Sequence, residues 1–78
     1  MSRVVHIRSG SDLGVAVREA REAAAMTQEA LAEHVGLDRS YLAKMETGLS
    51  VLLLDRALRV LRRLGAEVTV TLADTTRD

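Results

Sequence analysis

Arg39, Ser40, Tyr41 and Lys44 cluster in the stretch DRSYLAKMETG, interleaved with Leu42 and Met45. On a helix, Leu42 and Met45 turn to one face and the four polar side chains are left on the other. An arginine fork matches the O6 and N7 acceptors of guanine, and a lysine is a flexible point charge that serves a base or a phosphate. Arg39 is therefore the first choice for direct base readout, with Lys44 beside it. Ser40 either contacts a base edge or simply occupies the first helical turn. Tyr41 either packs its ring on the preceding helix with a wet hydroxyl, or offers that hydroxyl to a phosphate. The bland reading of Arg39 and Lys44 is ordinary solvated charge. Their place on the outer face of a helix free to enter a DNA groove favours contact.

Catalytic chemistry has no comparable foothold. The chain has no Ser/His/Asp arrangement and no glycine-rich phosphate loop. His6 and His34 are far apart, and there is no cysteine, so neither a metal site nor a disulfide framework is expected. No cofactor and no enzymatic activity are expected.

The elements that must hold these residues can be read from capping and spacing. Thr27 can cap a helix over about 28–35, with Leu31 and Val35 on one face and small Ala32 where another helix must approach. Gly36 suits the left-handed residue that ends it. Asp38 then caps a second helix over about 39–47, and Gly48 stops that one. The pair is a helix-turn-helix. Ahead of it, Ser11 is the expected cap of a helix over about 12–25 that turns Leu13, Val17, Ala20 and Ala24 inward. Behind it, a fourth helix spans about 53–64, with Leu54, Leu58 and Leu61 in one stripe joined by Ala57 and Leu64, and Gly65 at its end. Its outer face carries Arg56, Arg59, Arg62 and Arg63, read as a solvated face or, more sharply, a partner surface.

Two segments have the period of strands. RVVHIR at 3–8 is a short strand or extended arm, and EVTVTL alternates Val68, Val70 and Leu72 with polar residues. A lone strand cannot satisfy its own backbone groups, so the second must pair with 3–8, with its twin in another copy, or with both. Pairing across a two-fold axis is favoured, which makes Val68, Val70 and Leu72 dimerisation residues. The fold class is thus mainly α: a four-helix, helix-turn-helix domain at 11–65, with a strand or arm at 1–10, a dimerisation strand at 66–73 in a small intersubunit sheet, and a frayed tail at 74–78.

Composition bounds the partners. The chain has 78 residues, is 47% hydrophobic, and contains one Tyr but no Phe or Trp, so its core is built from Leu, Val and Ala. So thin a core suggests help from a second subunit. The formal net charge is zero, with 11 basic and 11 acidic residues, which argues against strong binding of DNA by one copy. Two copies on two half-sites would supply the affinity. The start MSRVVHIRSG lacks the apolar region of a signal peptide, and no apolar run is long enough to span a membrane, so a cytoplasmic location is expected.

The residues TQEALA at 27–32, VGL at 35–37 and SYLAKMETG at 40–48 resemble the Xre-type helix-turn-helix family of phage-repressor-like regulators. The resemblance covers about residues 11–64. LDRALRVLRRLGAEVTVTL is similar to the HipB-like antitoxin branch, where a helix ending in Leu-Gly leads into a strand that pairs between subunits. The resemblance implies that Gln28 bonds a phosphate and steadies the base-reading residues, and that Arg39, Ser40 and Lys44 meet base edges. It places Tyr41 and Thr47 near phosphates, and pairs Arg21 with Glu46 in a buried or half-buried ion pair. A bare carboxylate at Glu46 would repel phosphate, so the role read for that pair is structural.

The function expected is a homodimeric repressor on a near-palindromic operator in double-stranded DNA, as the antitoxin of a toxin–antitoxin pair that represses its own operon and binds a kinase-like toxin. The alternatives are a protein-interaction module that keeps the scaffold without DNA, which zero net charge favours, and a phage-type immunity repressor with no toxin.

Overall fold

The computed structural model describes residues 2–48 and 51–73. In chain order they form β1 (Ser2–His6), α1 (Gly10–Ala23), α2 (Gln28–Val35), α3 (Arg39–Glu46), α4 (Leu52–Arg63) and β2 (Thr69–Ala73). The mainly α, four-helix architecture expected from the sequence is present. The tail at 74–78, expected to fray, lies outside the described residues. Among those described, no helix is long and apolar enough to cross a membrane.

The helix-turn-helix is built by local chemistry. The Thr27 hydroxyl accepts from Ala30 N at 3.0 Å, opening α2 at Gln28. Gly36 takes φ 76°, and the turn closes as Leu37 N donates to the Ala32 carbonyl at 2.9 Å. Asp38 occupies the cap position of α3 with extended backbone, but its side chain makes no cap hydrogen bond. The expected carboxylate cap is therefore absent, and the start of α3 is set by backbone geometry. Ala32 and Leu42 are buried, and they lie where α2 and α3 meet.

α1 starts earlier than expected. Ser9, not Ser11, is its cap, accepting from Asp12 N at 3.2 Å, while Gly10 N donates to Asp55 Oδ1 of α4 at 2.7 Å. Its buried positions are Gly10, Gly14 and Ala16. Ala20 and Ala24, expected inside, are exposed. The sheet and α4 pack on α1 at Leu13 and Ala16, and the two alanines lie beyond that contact.

β2 finds its partner within the chain. It runs antiparallel to β1, with Val5 opposite Val70 and Arg3 opposite Leu72. The pairing across a two-fold axis that the sequence favoured is not what satisfies the inner edge of this strand. β1 carries a matching apolar face, and Val5, Val68 and Val70 pack with Leu13 and Leu54 on a core of Ile7, Ala16 and Leu58. The sheet has two strands among the described residues, so each keeps one open edge. Of α4, only Leu58 is buried and Leu54 half-buried; Ala57, Leu61 and Leu64, expected in the inner stripe, are exposed. The reason is coverage: β1, β2 and α1 meet one flank of α4 and leave the next flank bare.

Gly14 is the tightest joint between α1 and the recognition unit. A Cβ there would strike the Met45 carbonyl oxygen and come within 3.0 Å of Gly48 N, all backbone atoms at the end of α3. Gly14→Ala should cost roughly 1–3 kcal/mol, the range for overpacking a tight site. Urea unfolding measures it; an unchanged midpoint would show that α3 does not press on α1 there.

Candidate nucleic-acid interface

Burial of Leu42 and half-burial of Met45 leave Arg39, Ser40 and Lys44 exposed on the opposite face of α3. Among the described residues, neither Arg39 nor Lys44 has a carboxylate within 4.0 Å. The helix thus presents two uncompensated cations and a hydroxyl along one side. The three expected base-reading side chains do share a surface.

That surface is held in place from behind. Glu46 closes α3 on its inner side and is only 7% exposed. Arg21 of α1 meets it with two parallel bonds, Nε to Oε2 at 2.7 Å and Nη2 to Oε1 at 3.0 Å. Such a bidentate fork fixes orientation as well as charge. The third guanidinium nitrogen, Nη1, donates to the Met26 carbonyl at 2.8 Å. It thereby ties down the turn after α1, where Ala25 takes φ 58°. Gln28, at the start of α2, donates Nε2 to Glu46 Oε1 at 3.0 Å. One carboxylate therefore joins α1, α2 and α3.

Arg21 and Glu46 occupy the positions the sequence implied for a structural pair. One amide N–H of Gln28 is engaged by Glu46. Arg18, Arg21, Gln28 and Thr47 line a shallow recess of about 300 Å³ beside α3. Arg18 is not among the side chains that the sequence assigns to this face. The signal that places it here is its spacing, one helical turn before Arg21, although it also pairs with Glu22 at 3.4 Å.

Two expectations change in detail. Tyr41, half exposed, lines an apolar recess of about 200 Å³ together with Leu13, Val17, Met45 and Leu54. The Thr47 hydroxyl donates to the Lys44 carbonyl at 2.7 Å, which spends its proton within α3 and leaves it an acceptor. Donation to a phosphate would require that bond to break. The remaining candidates stay apart from this face. Val68 and Val70 face the core, Leu72 is half-buried, and His6 lies 3.7 Å from Glu67 at the far side of the molecule's sheet. Among the described residues, no group of three or more His, Cys, Asp or Glu side chains is placed to hold a metal ion.

The Glu46 carboxyl is held below its ordinary value of about 4.5, chiefly by the hydrogen bonds from Arg21, with Gln28 adding to the effect and burial opposing it. A depressed carboxyl contributes stability above its unfolded value and loses it as the folded state takes up the proton. The parent's excess stability over a Glu46→Gln variant should thus be full at neutral pH and shrink as pH falls below about 4.5. Thermal unfolding of both proteins across acid pH checks this; a difference that stays constant down to strong acid would remove the ion pair from the account.

With this geometry in place, comparison with known families has a clear outcome. No curated protein and no solved structure matches the chain. A family model described as Helix-turn-helix matches residues 17–70, the span from α1 through β2. That is more than half of the 78 residues and includes every side chain of the α1–α2–α3 network and the outer face of α3. The chain belongs to the helix-turn-helix family of DNA-binding regulators of transcription.

Proposed function

We propose that the protein is a homodimeric, sequence-specific repressor that reads a near-palindromic operator through α3. The observation that carries this reading is the unpaired, outward set Arg39, Ser40 and Lys44 on a helix braced by the Arg21–Glu46–Gln28 network. A structural scaffold has no need of two unshielded cations there. Two such helices would enter successive major grooves about 34–36 Å apart.

The dimer is supported by α4. Leu53 is 78% exposed and Leu64 76%, with Val60 and Leu61 between them on the same flank. Ala57 completes a stripe at helical spacing, far more apolar surface than a helix normally leaves in water. A second copy is the occupant that fits, since a chain of zero net charge meets no long-range repulsion from its twin. It also supplies the second half-site contact that one weakly charged domain lacks. An open edge of the β1–β2 sheet could extend the same contact, with Val68, Val70 and Leu72 then acting from the core side of the shared sheet.

An antitoxin role with autoregulation of its operon is a narrower form of this reading. It is supported by the succession of α4, Leu64, Gly65 and β2. Co-expression with a kinase-like toxin encoded beside it would separate an antitoxin from a repressor without a toxin partner.

Arg39→Ala should weaken binding to a selected duplex by roughly 1–3 kcal/mol and relax preference at one base position, with the fold intact by circular dichroism. Equal affinity in parent and variant would take base reading away from Arg39. Leu64→Lys should convert dimer to monomer at micromolar concentration and lower operator affinity with it. Truncating β2 is a poorer probe, because Val68 and Val70 belong to the core. Sedimentation at several concentrations decides; an undiminished dimer would move the interface off α4.

A further inference from the structure

Arg8, Arg56, Arg59 and Arg62 converge on one cleft of about 350 Å³, walled by the start of α1 and one flank of α4. Asp55 is the one acidic side chain that lines it, so four positive charges face one negative charge in a chain whose formal total is zero. Asp55 is also occupied, accepting from Gly10 N at 2.7 Å. Arg62 Nη1 donates to the Arg8 carbonyl and so holds the two walls together. Among the described residues, the guanidinium groups of Arg8, Arg56 and Arg59 have no carboxylate within 4.0 Å, while the backbone N–H of Arg8 donates to Asp12 Oδ2 at 2.9 Å. Concentrated like charge of this kind costs stability unless an anion answers it, and guanidinium forks match phosphate oxygens in pairs.

The place of the cleft indicates which anion. Gly48, the residue that follows α3, forms part of its wall and packs against Ser11. α3 has eight residues and so spans about 12 Å, close to the width of the major groove. The Arg18–Gln28 recess meets the last turn of α3 at Ala43, Glu46 and Thr47, and the arginine cleft meets the chain at Gly48, just beyond it. The stretch that follows α3, TGLSVLLLD at 47–55, which runs into the first turn of α4, contains no Lys or Arg. A phosphate beyond the end of α3 is therefore met by cations from neighbouring elements.

We infer that the cleft grips backbone phosphates of the duplex beyond the C-terminal end of α3, adding affinity without reading sequence. The inference rests on α3 reading DNA. The zero net charge of the chain then conceals a strongly polarised surface.

The test uses the full chain and a duplex selected by it from random DNA, with a scrambled duplex beside it. Arg56→Gln with Arg59→Gln should weaken both duplexes by at least about ten-fold at moderate salt and leave their ratio unchanged. The slope of log affinity against log salt should fall by about 1.8, or 0.9 for each lost phosphate contact. Ethylation interference should lose the phosphates contacted by the two arginines and keep those near Gln28. Circular dichroism and thermal midpoint confirm that the variant folds. An unchanged slope in the variant overturns the inference while DNA reading by α3 stands. So does a parent that binds a polyglutamate peptide through the two arginines while duplex binding ignores them, since the cleft would then serve an acidic protein. A parent that selects no duplex at all overturns the reading of α3 and this inference together.

Discussion

A single carboxylate decides whether this molecule has a usable recognition surface. Glu46 terminates α3 in a place where burial would be costly for a lone charge, and Arg21 answers it with a bidentate fork. Because Gln28 bonds the same carboxylate, α1, α2 and α3 cannot shift independently. The pair also neutralises a negative group at the end of the recognition helix. Positioning and electrostatics are thus met by the same three side chains. The Met26 carbonyl, bonded by the remaining Arg21 nitrogen, extends the constraint into the turn before α2.

The rest of the fold is thinly packed by comparison. Without Phe or Trp, the core comes down to Ile7, Ala16 and Leu58 with partly buried neighbours, and Ala32 with Leu42 at the helix-turn-helix. Small side chains allow close approach, as at Gly14 against Met45, but each buries little apolar surface. The bare flank of α4 is the counterpart of that thin core: apolar surface that one copy leaves in water and a second copy would cover.

Charge is segregated in the same economical way. The total is zero, yet the outer face of α3 and the cleft beside α4 are basic, while Glu29, Glu33 and Asp38 stay exposed on α2 and the turn after it. A polyanion responds to local potential within about a Debye length, roughly 8–10 Å, and not to the sum over the chain. Zero net charge is therefore compatible with a directional DNA contact. It also lets copies approach one another without strong repulsion.

The sequence by itself determined what depends on near neighbours. The Thr27 cap, the Gly36 stop, the inward Leu42 and outward Arg39, Ser40 and Lys44 were all legible, because capping and helical period act over three or four residues. The limits of α2 could be read directly for that reason. The Arg21–Glu46 pair, 25 residues apart, was visible only through family resemblance, and its third member Gln28 bonding Glu46 was not visible at all. Which serine caps α1 was decided by Asp55, a residue 45 positions away that takes the Gly10 N–H. Whether β2 pairs within the chain or across an axis turned on how the N-terminal strand folds back, and periodicity is blind to that. The gathering of Arg8 with Arg56, Arg59 and Arg62 was decided by tertiary structure alone, since only the packing of α1 against α4 brings charges from distant positions around one cleft.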